Sequence, residues 1–242
     1  MAPVILLTRP AEDATALAGR IRAARPEARV LVSPLQRIDD LPVPPEAFAR
    51  ADGLIFTSRN GVRAWQRAGA PVRPCYCVGD ATAALARAAG LDAISAEGNA
   101  DALVARMQAD APGGRWLHLR GEHARGAVAG RLTTKGVRAS EVVAYRQAAQ
   151  ELDDTARAAL AGPARVIVPL YSPRSARLFA AAGPFGAALY VAAMSAEVTA
   201  ALGPMVTCRC EVVGHPDGEH MFLATLRLFA EAQRVEGGQG AE

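Results

Sequence analysis

Aromatic residues make up only 5% of the 242-residue chain, a scarcity that says little about function. No apolar stretch approaches the ~18 residues of a membrane span. The opening apolar run, Val4–Leu7, is ended by Arg9 and is too short for the apolar centre of a signal peptide. The expectation is a soluble, cytoplasmic protein with no membrane partner. Charge of one sign is also lacking: the net charge is +3, and arginine is scattered along the chain rather than gathered in a basic stripe, so no nucleic-acid partner is expected. G-x-S-x-G, Walker A, G-x-G-x-x-G and H-E-x-x-H are all absent. The four histidines, His118, His123, His215 and His220, do not cluster, which argues against a metal site or a Ser-His-Asp triad. His118 reads as a packed strand residue, and His215 and His220 lack a carboxylate partner at a telling spacing.

The four cysteines form two C-x-C pairs, Cys75/Cys77 and Cys208/Cys210. Structural zinc sites favour C-x2-C to C-x4-C knuckles in loops, whereas both pairs lie in apolar, strand-like runs. They read as buried free thiols, with no metal.

Hydrophobic residues reach 51%, enough to bury the core of two domains of roughly 110 residues each. Short apolar runs mark strands at Val4–Thr8, Arg29–Ser33, Gly53–Thr57, Pro74–Val78, Ala93–Ser95, Arg115–Leu119, Arg138–Tyr145, Val166–Leu170, Ala188–Ala193 and Thr207–Val213. Helical patterns separate them at Ala11–Ala24, Arg59–Ala68, Asp80–Ala89, Ala100–Ala109, Glu122–Lys135, Asp153–Ala161, Pro173–Ala182, Ala196–Leu202 and Gly218–Arg234. Such alternation predicts an α/β fold with parallel sheets covered on both faces. Ser58 and Ser172 are predicted N-caps, and Gly69, Gly90, Gly136 and Gly183 predicted C′ residues.

An internal repeat organises the chain. Leu7-Thr8-Arg9 matches Leu119-Arg120, Thr57-Ser58 matches Tyr171-Ser172, and Cys77-Val78-Gly79 matches Ala193-Met194-Ser195, at an offset of about 111 to 116 residues. A repeat this long is a whole domain, and a ligand would sit between two copies. The repeat leaves open whether the first ~36 residues pack with the segment that follows or with the C-terminal half.

The strand-to-helix junctions share one design. Thr8-Arg9-Pro10, Thr57-Ser58-Arg59, Val78-Gly79-Asp80, Leu119-Arg120-Gly121, Tyr171-Ser172-Pro173 and Met194-Ser195-Ala196 place small or hydroxyl residues where helix N–H groups point outward. Such ends hold carboxylate or phosphate, though N-capping alone explains a single Ser or Thr. Tyr145, after Val142-Val143-Ala144, reads as an amphipathic domain-edge residue or as a hydroxyl donor to a ligand.

Phe56-Thr57-Ser58-Arg59-Asn60-Gly61-Val62-Arg63-Ala64, Val78-Gly79-Asp80-Ala81-Thr82-Ala83, Leu119-Arg120-Gly121-Glu122 followed by Arg125, and Tyr145-Arg146 together resemble the uroporphyrinogen-III synthase family. Leu7-Thr8-Arg9-Pro10, Ser33-Pro34-Leu35 and Tyr171-Ser172-Pro173 with Ser175-Ala176 fit as well, so the resemblance runs from about residue 4 to 230. It implies two flavodoxin-like domains, 1–36 with 146–242 and 37–145, joined by a two-stranded β linker with a ligand cleft between them. It implies a cofactor-free lyase that closes hydroxymethylbilane, a linear tetrapyrrole with eight carboxylates, into uroporphyrinogen III. Water is lost, and the last pyrrole ring is inverted through a spiro intermediate. By the same resemblance Tyr145 and Thr82 are the catalytic positions, and Thr8, Arg9, Thr57, Ser58, Arg59, Gly79, Arg120, Gly121, Arg146, Ser172 and Ser195 bind substrate. The implied assembly is a monomer that makes at most a transient contact with the preceding pathway enzyme. Two features depart from the family pattern: His215-Pro216-Asp217-Gly218-Glu219 replaces the usual Pro-Thr before the last helix, and Val198 is given no role. The alternatives are a non-catalytic, synthase-like ligand-binding or regulatory protein, and a nucleotide-binding regulator, which the missing glycine-rich fingerprint disfavours.

Overall fold

The computed structural model describes residues 2–123 and 126–237; Arg125 lies outside the described residues. In chain order the first elements are β1 (Val4–Leu7), α1 (Ala11–Ala24), β2 (Arg29–Val32), β3 (Gln36–Asp40), α2 (Pro45–Ala49), β4 (Gly53–Phe56) and α3 (Arg59–Arg67). Next come β5 (Cys75–Cys77), α4 (Asp80–Ala88), β6 (Ala93–Ser95), α5 (Ala100–Asp110), β7 (Trp116–Gly121), α6 (Val128–Thr134) and β8 (Ala139–Ala149). The chain then runs through α7 (Asp154–Ala161), β9 (Arg165–Leu170), α8 (Pro173–Ala181), β10 (Ala188–Ala193), α9 (Ala196–Ala200), β11 (Arg209–Val212) and α10 (Gly218–Gly237).

Two compact units result: Met1–Arg37 with Ala149–Glu242, and Ile38–Ala148. The first is stitched where the chain returns to it. Gln150 N–H donates to the Leu35 carbonyl at 3.0 Å, and Asp153 N–H to Ser33 Oγ at 2.8 Å. Its sheet has the order β11-β10-β9-β1-β2, and that of the second unit β3-β8-β7-β4-β5-β6. The pairs β1–β2, β1–β9, β9–β10 and β10–β11 are parallel, as are β4–β5, β5–β6, β4–β7 and β7–β8.

Strands buried on both faces need continuous apolar runs rather than alternation, and each side chain still takes sides. In the first unit Ile5, Leu7, Ile167, Tyr190 and Ala192 pack with α1 and α10. Leu6, Val166, Val168, Leu189 and Val191 pack on the other face with α7, α8 and α9. Ala14, Leu17, Ala18 and Ile21, spaced for one helix face, carry α1 onto its sheet. In the second unit Leu54, Phe56, Leu117 and Leu119 meet α3 and α4, while Ile55, Tyr76 and Trp116 meet α5 and α6.

The internal repeat maps strand onto strand. Equating β1 with β7, β4 with β9 and β5 with β10 gives β2-β1-β9-β10-β11 the same spatial order as β8-β7-β4-β5-β6. Numbered along the chain, the first unit reads 2-1-3-4-5, the flavodoxin-like order, and those five strands of the second, taken in the same direction, read 5-4-1-2-3. The frames are equal, and the chain enters them at different strands.

Four expectations need correction. The helix expected from Glu122 begins only at Val128, because Gly126 and Ala127 take positive φ (86° and 40°) and break the helical path. The polar strand β3 and the short α2 carry no apolar run and are missing from the elements read from the sequence pattern, where only the resemblance implied a linker strand. Gly69, Gly90 and Gly136 have the left-handed conformation of C′ residues, but Gly183 does not. Cys75 and Cys77 are buried on one face of β5, whereas Cys208 is exposed, because it precedes an edge strand that covers only part of Cys210.

Candidate functional site

In an open parallel sheet, a crevice forms at the carboxyl ends of two neighbouring strands whose connections leave in opposite directions. The first unit has this arrangement between β1 and β9, and the second between β4 and β7.

At the second unit's switch point, β4 runs into Thr57-Ser58 and α3. Asn60 N–H donates to Ser58 Oγ at 3.2 Å, so Ser58 is the N-cap. No acidic residue lies in the first turn of α3, and Arg59 begins it. The first turn of the helix thus supplies no carboxylate of its own to the positive helix end. Gly61 lets the helix approach β7, since a Cβ there would stand 2.7 Å from the Leu119 carbonyl oxygen.

Tyr145 reaches the same edge from β8. The pairing passes from Arg120–Val143 to Gly121–Tyr145, so one extra residue on β8 forms a bulge and brings Tyr145 opposite Gly121. The side chain is 4% exposed. Burial pushes its pKa above the usual 10, outweighing the lowering influence of the neighbouring Ser58 side chain and Gly121 backbone. It is therefore a phenol at neutral pH. Gly121 is required sterically: a Cβ there would lie 2.7 Å from Cε2 of the Tyr145 ring. Beside this cluster His118 is 1% exposed, with Nε2 at 3.0 Å from Thr57 Oγ1. Burial lowers its pKa to about 4, so it is neutral.

The first unit's switch point has a different content. Arg9 stacks over the Tyr171 ring at 3.8 Å from its centroid and pairs with Asp13 at 3.0 Å. Ser172 and Ser175 form a reciprocal capping box at the start of α8, with no acid in that first turn. Thr8 is 1% exposed, and its carbonyl accepts from Leu35 N–H.

The remaining expected positions are dispersed. Gly79 N-caps α4, whose first turn carries Asp80 and the buried Thr82 (6% exposed). Ser195 precedes α9, and its hydroxyl helps hold the Glu197 carboxyl below its ordinary pKa. A carboxylate in each of these first turns already occupies the positive helix end. Gly121 does not open a helix at all; it opens a turn beside the Tyr145 ring. Arg120 pairs with Glu141 at 2.8 Å and Arg146 with Asp39 at 3.3 Å. Of the six junctions, the helix ends that combine a serine cap with an acid-free first turn are those of α3 and α8, which follow the equivalent strands β4 and β9.

The acidic loop before α10 serves the fold. Asp217 Oδ1 accepts from His220 N–H at 2.8 Å, its Oδ2 lies 2.7 Å from His220 Nδ1, and Glu219 pairs with Arg20 at 2.6 Å. His220 thus has the carboxylate partner that its sequence spacing did not suggest. Sequence reasoning also missed the roles of Tyr171 and Ser175 at the first switch point and of the bulge at the second. Ser172-x-x-Ser175 was a readable capping signal, but the bulge had none. Among the described residues no group of three or more His, Cys, Asp or Glu could hold a metal ion. No described helix is long and apolar enough to cross a membrane.

The sequence model of the family described as Uroporphyrinogen-III synthase HemD matches residues 15–217. Comparison with curated proteins gives no match. The chain is similar in structure to a uroporphyrinogen-III synthetase from Helicobacter pylori, at 16% identity over 93% of this chain and 99% of that one, with a TM-score of 0.65. It is also similar to a mutant uroporphyrinogen III synthase from the extremely thermophilic bacterium Thermus thermophilus, at 16% identity over 96% of this chain and 99% of that one, with a TM-score of 0.55. At this identity the structural likeness concerns the fold.

Proposed function

Because the chain belongs to the uroporphyrinogen-III synthase family, enzymes of tetrapyrrole synthesis, we propose that it is a lyase that closes hydroxymethylbilane into uroporphyrinogen III. The observation that carries this reading is the Tyr145 hydroxyl, buried beside Ser58 and Gly121 at the carboxyl edge of a switch point. A phenol kept protonated by burial can donate to a departing hydroxide, and a fixed donor costs no reorganisation when the bond breaks. The terminal C–O bond breaks and hydroxide leaves as water with a proton. The resulting cation is attacked by the substituted carbon of the last ring, and the spiro intermediate fragments and recloses with that ring inverted.

The substrate carries its own reactivity, so the protein's tasks are to hold the chain folded and to assist departure of the hydroxyl. The acid-free, serine-capped starts of α3 and α8 suit its carboxylates. Arg59 and Arg9 add positive charge, although Arg9 already has Asp13 as a partner. Thr82 completes the proposal on the resemblance alone, since its side chain is buried in the first turn of α4. A cytoplasmic monomer, meeting the preceding pathway enzyme only transiently, fits this reading.

The test is isomer analysis of the product. Purified protein supplied with hydroxymethylbilane should give type III uroporphyrinogen in place of the spontaneous type I isomer. Type I product alone at high enzyme concentration would overturn the assignment.

A further inference from the structure

The proposed chemistry leaves His118 unused. Its side chain is 1% exposed on β7, and its Nε2 lies 3.0 Å from Thr57 Oγ1. Its Nδ1 is buried with no hydrogen-bond partner among the described residues. The charged groups acting on it are Glu141, its cross-strand partner on β8, and Arg120, which pairs with Glu141. Two neutral tautomers are available. With the proton on Nδ1, a buried N–H donor goes unmatched and Nε2 accepts from Thr57. With the proton on Nε2, the donor is satisfied by Thr57 Oγ1 and only a lone pair is left at Nδ1. An orphaned buried donor is the rarer and costlier defect.

We propose that His118 is a positioning residue held in the Nε2–H tautomer, and that its bond to Thr57 Oγ1 makes the Thr57 hydroxyl a fixed donor to a carboxylate oxygen of the substrate. A threonine hydroxyl whose oxygen receives a hydrogen bond has its own proton left to give. Thr57 is half-buried at the end of β4, directly before the N-cap Ser58. The binding half of this proposal rests on the reaction assigned above; the tautomer does not.

Nitrogen-15 NMR of the free, full-length protein at pH 7 reads the tautomer without substrate. The expected result is neutral Nε2–H for His118; neutral Nδ1–H or imidazolium would overturn the proposal. Kinetics with hydroxymethylbilane test the binding half. His118→Leu and Thr57→Val should each raise KM by about tenfold with kcat nearly unchanged, the size of one hydrogen bond to a charged acceptor. His118→Gln, which keeps a side-chain N–H donor, should stay within about threefold of wild type. The double variant should be no worse than either single one. Fully additive losses, or a His118→Gln as impaired as His118→Leu, would remove His118 from substrate positioning.

Discussion

The two switch points share a frame and differ in what they hold. Between β4 and β7 stands a buried phenol; between β1 and β9 stands a guanidinium stacked on a tyrosine. Under the repeat Ser58 matches Ser172, and both cap a helix with an acid-free first turn. Thr57 matches Tyr171, so the hydroxyl that meets His118 in one unit is replaced by the ring that carries Arg9 in the other. Extending the match of Leu7-Thr8 with Leu119-Arg120 by one residue sets Arg9 against Gly121. The glycine leaves room for Tyr145, whereas the arginine fills its own crevice. Both units keep a serine-capped, acid-free helix end, and they differ in the side chains beside it: a phenol in one, a stacked guanidinium in the other.

Exchanging features between the two points tests this division. The largest effect should come from Gly121→Ala, which gives the second unit a side chain where the first has one. Its Cβ would enter the Tyr145 ring at 2.7 Å, so turnover should fall by about a hundredfold or more, with stability lowered by roughly 1–3 kcal/mol as for other overpacked sites. Near-normal turnover would mean that the phenol is not held as described. Next is Arg9→Gln at the first unit. KM should rise about fivefold with kcat little changed, the pattern of lost uniform binding; an equal fall in kcat would place Arg9 in the chemistry and erase the contrast. The smallest effect should be that of Asp217→Ala, which removes the N-cap of α10. A loss of about 1 kcal/mol in urea unfolding is expected, with KM unchanged. A changed KM would show that this loop touches substrate.

Much of the frame was legible because burial on both faces writes strands as apolar runs. Ala11–Ala24 and Ala188–Ala193 were readable to the residue, and the Ser58 and Ser172 caps follow from local chemistry. What escaped depends on partners distant in sequence. β3 is polar; Asp39 and Asp40 in it pair with Arg146 and Arg67. The late start of α6 turns on the positive φ of Ala127, which alanine does not advertise. The site was half legible. Tyr145 could be singled out, but the bulge that sets it against Gly121, and the Thr57–His118 contact across 61 residues, exist only once β4, β7 and β8 are adjacent.

The central claim is that the Tyr145 hydroxyl, and not merely its ring, serves the reaction. Single-turnover conversion of hydroxymethylbilane by Tyr145→Phe tests it most directly, because phenylalanine keeps the ring packed against Gly121 and removes only the oxygen. The predicted result is type III product formed about ten to a hundred times more slowly, the scale of a lost donor to a leaving group. An unchanged rate would contradict the account.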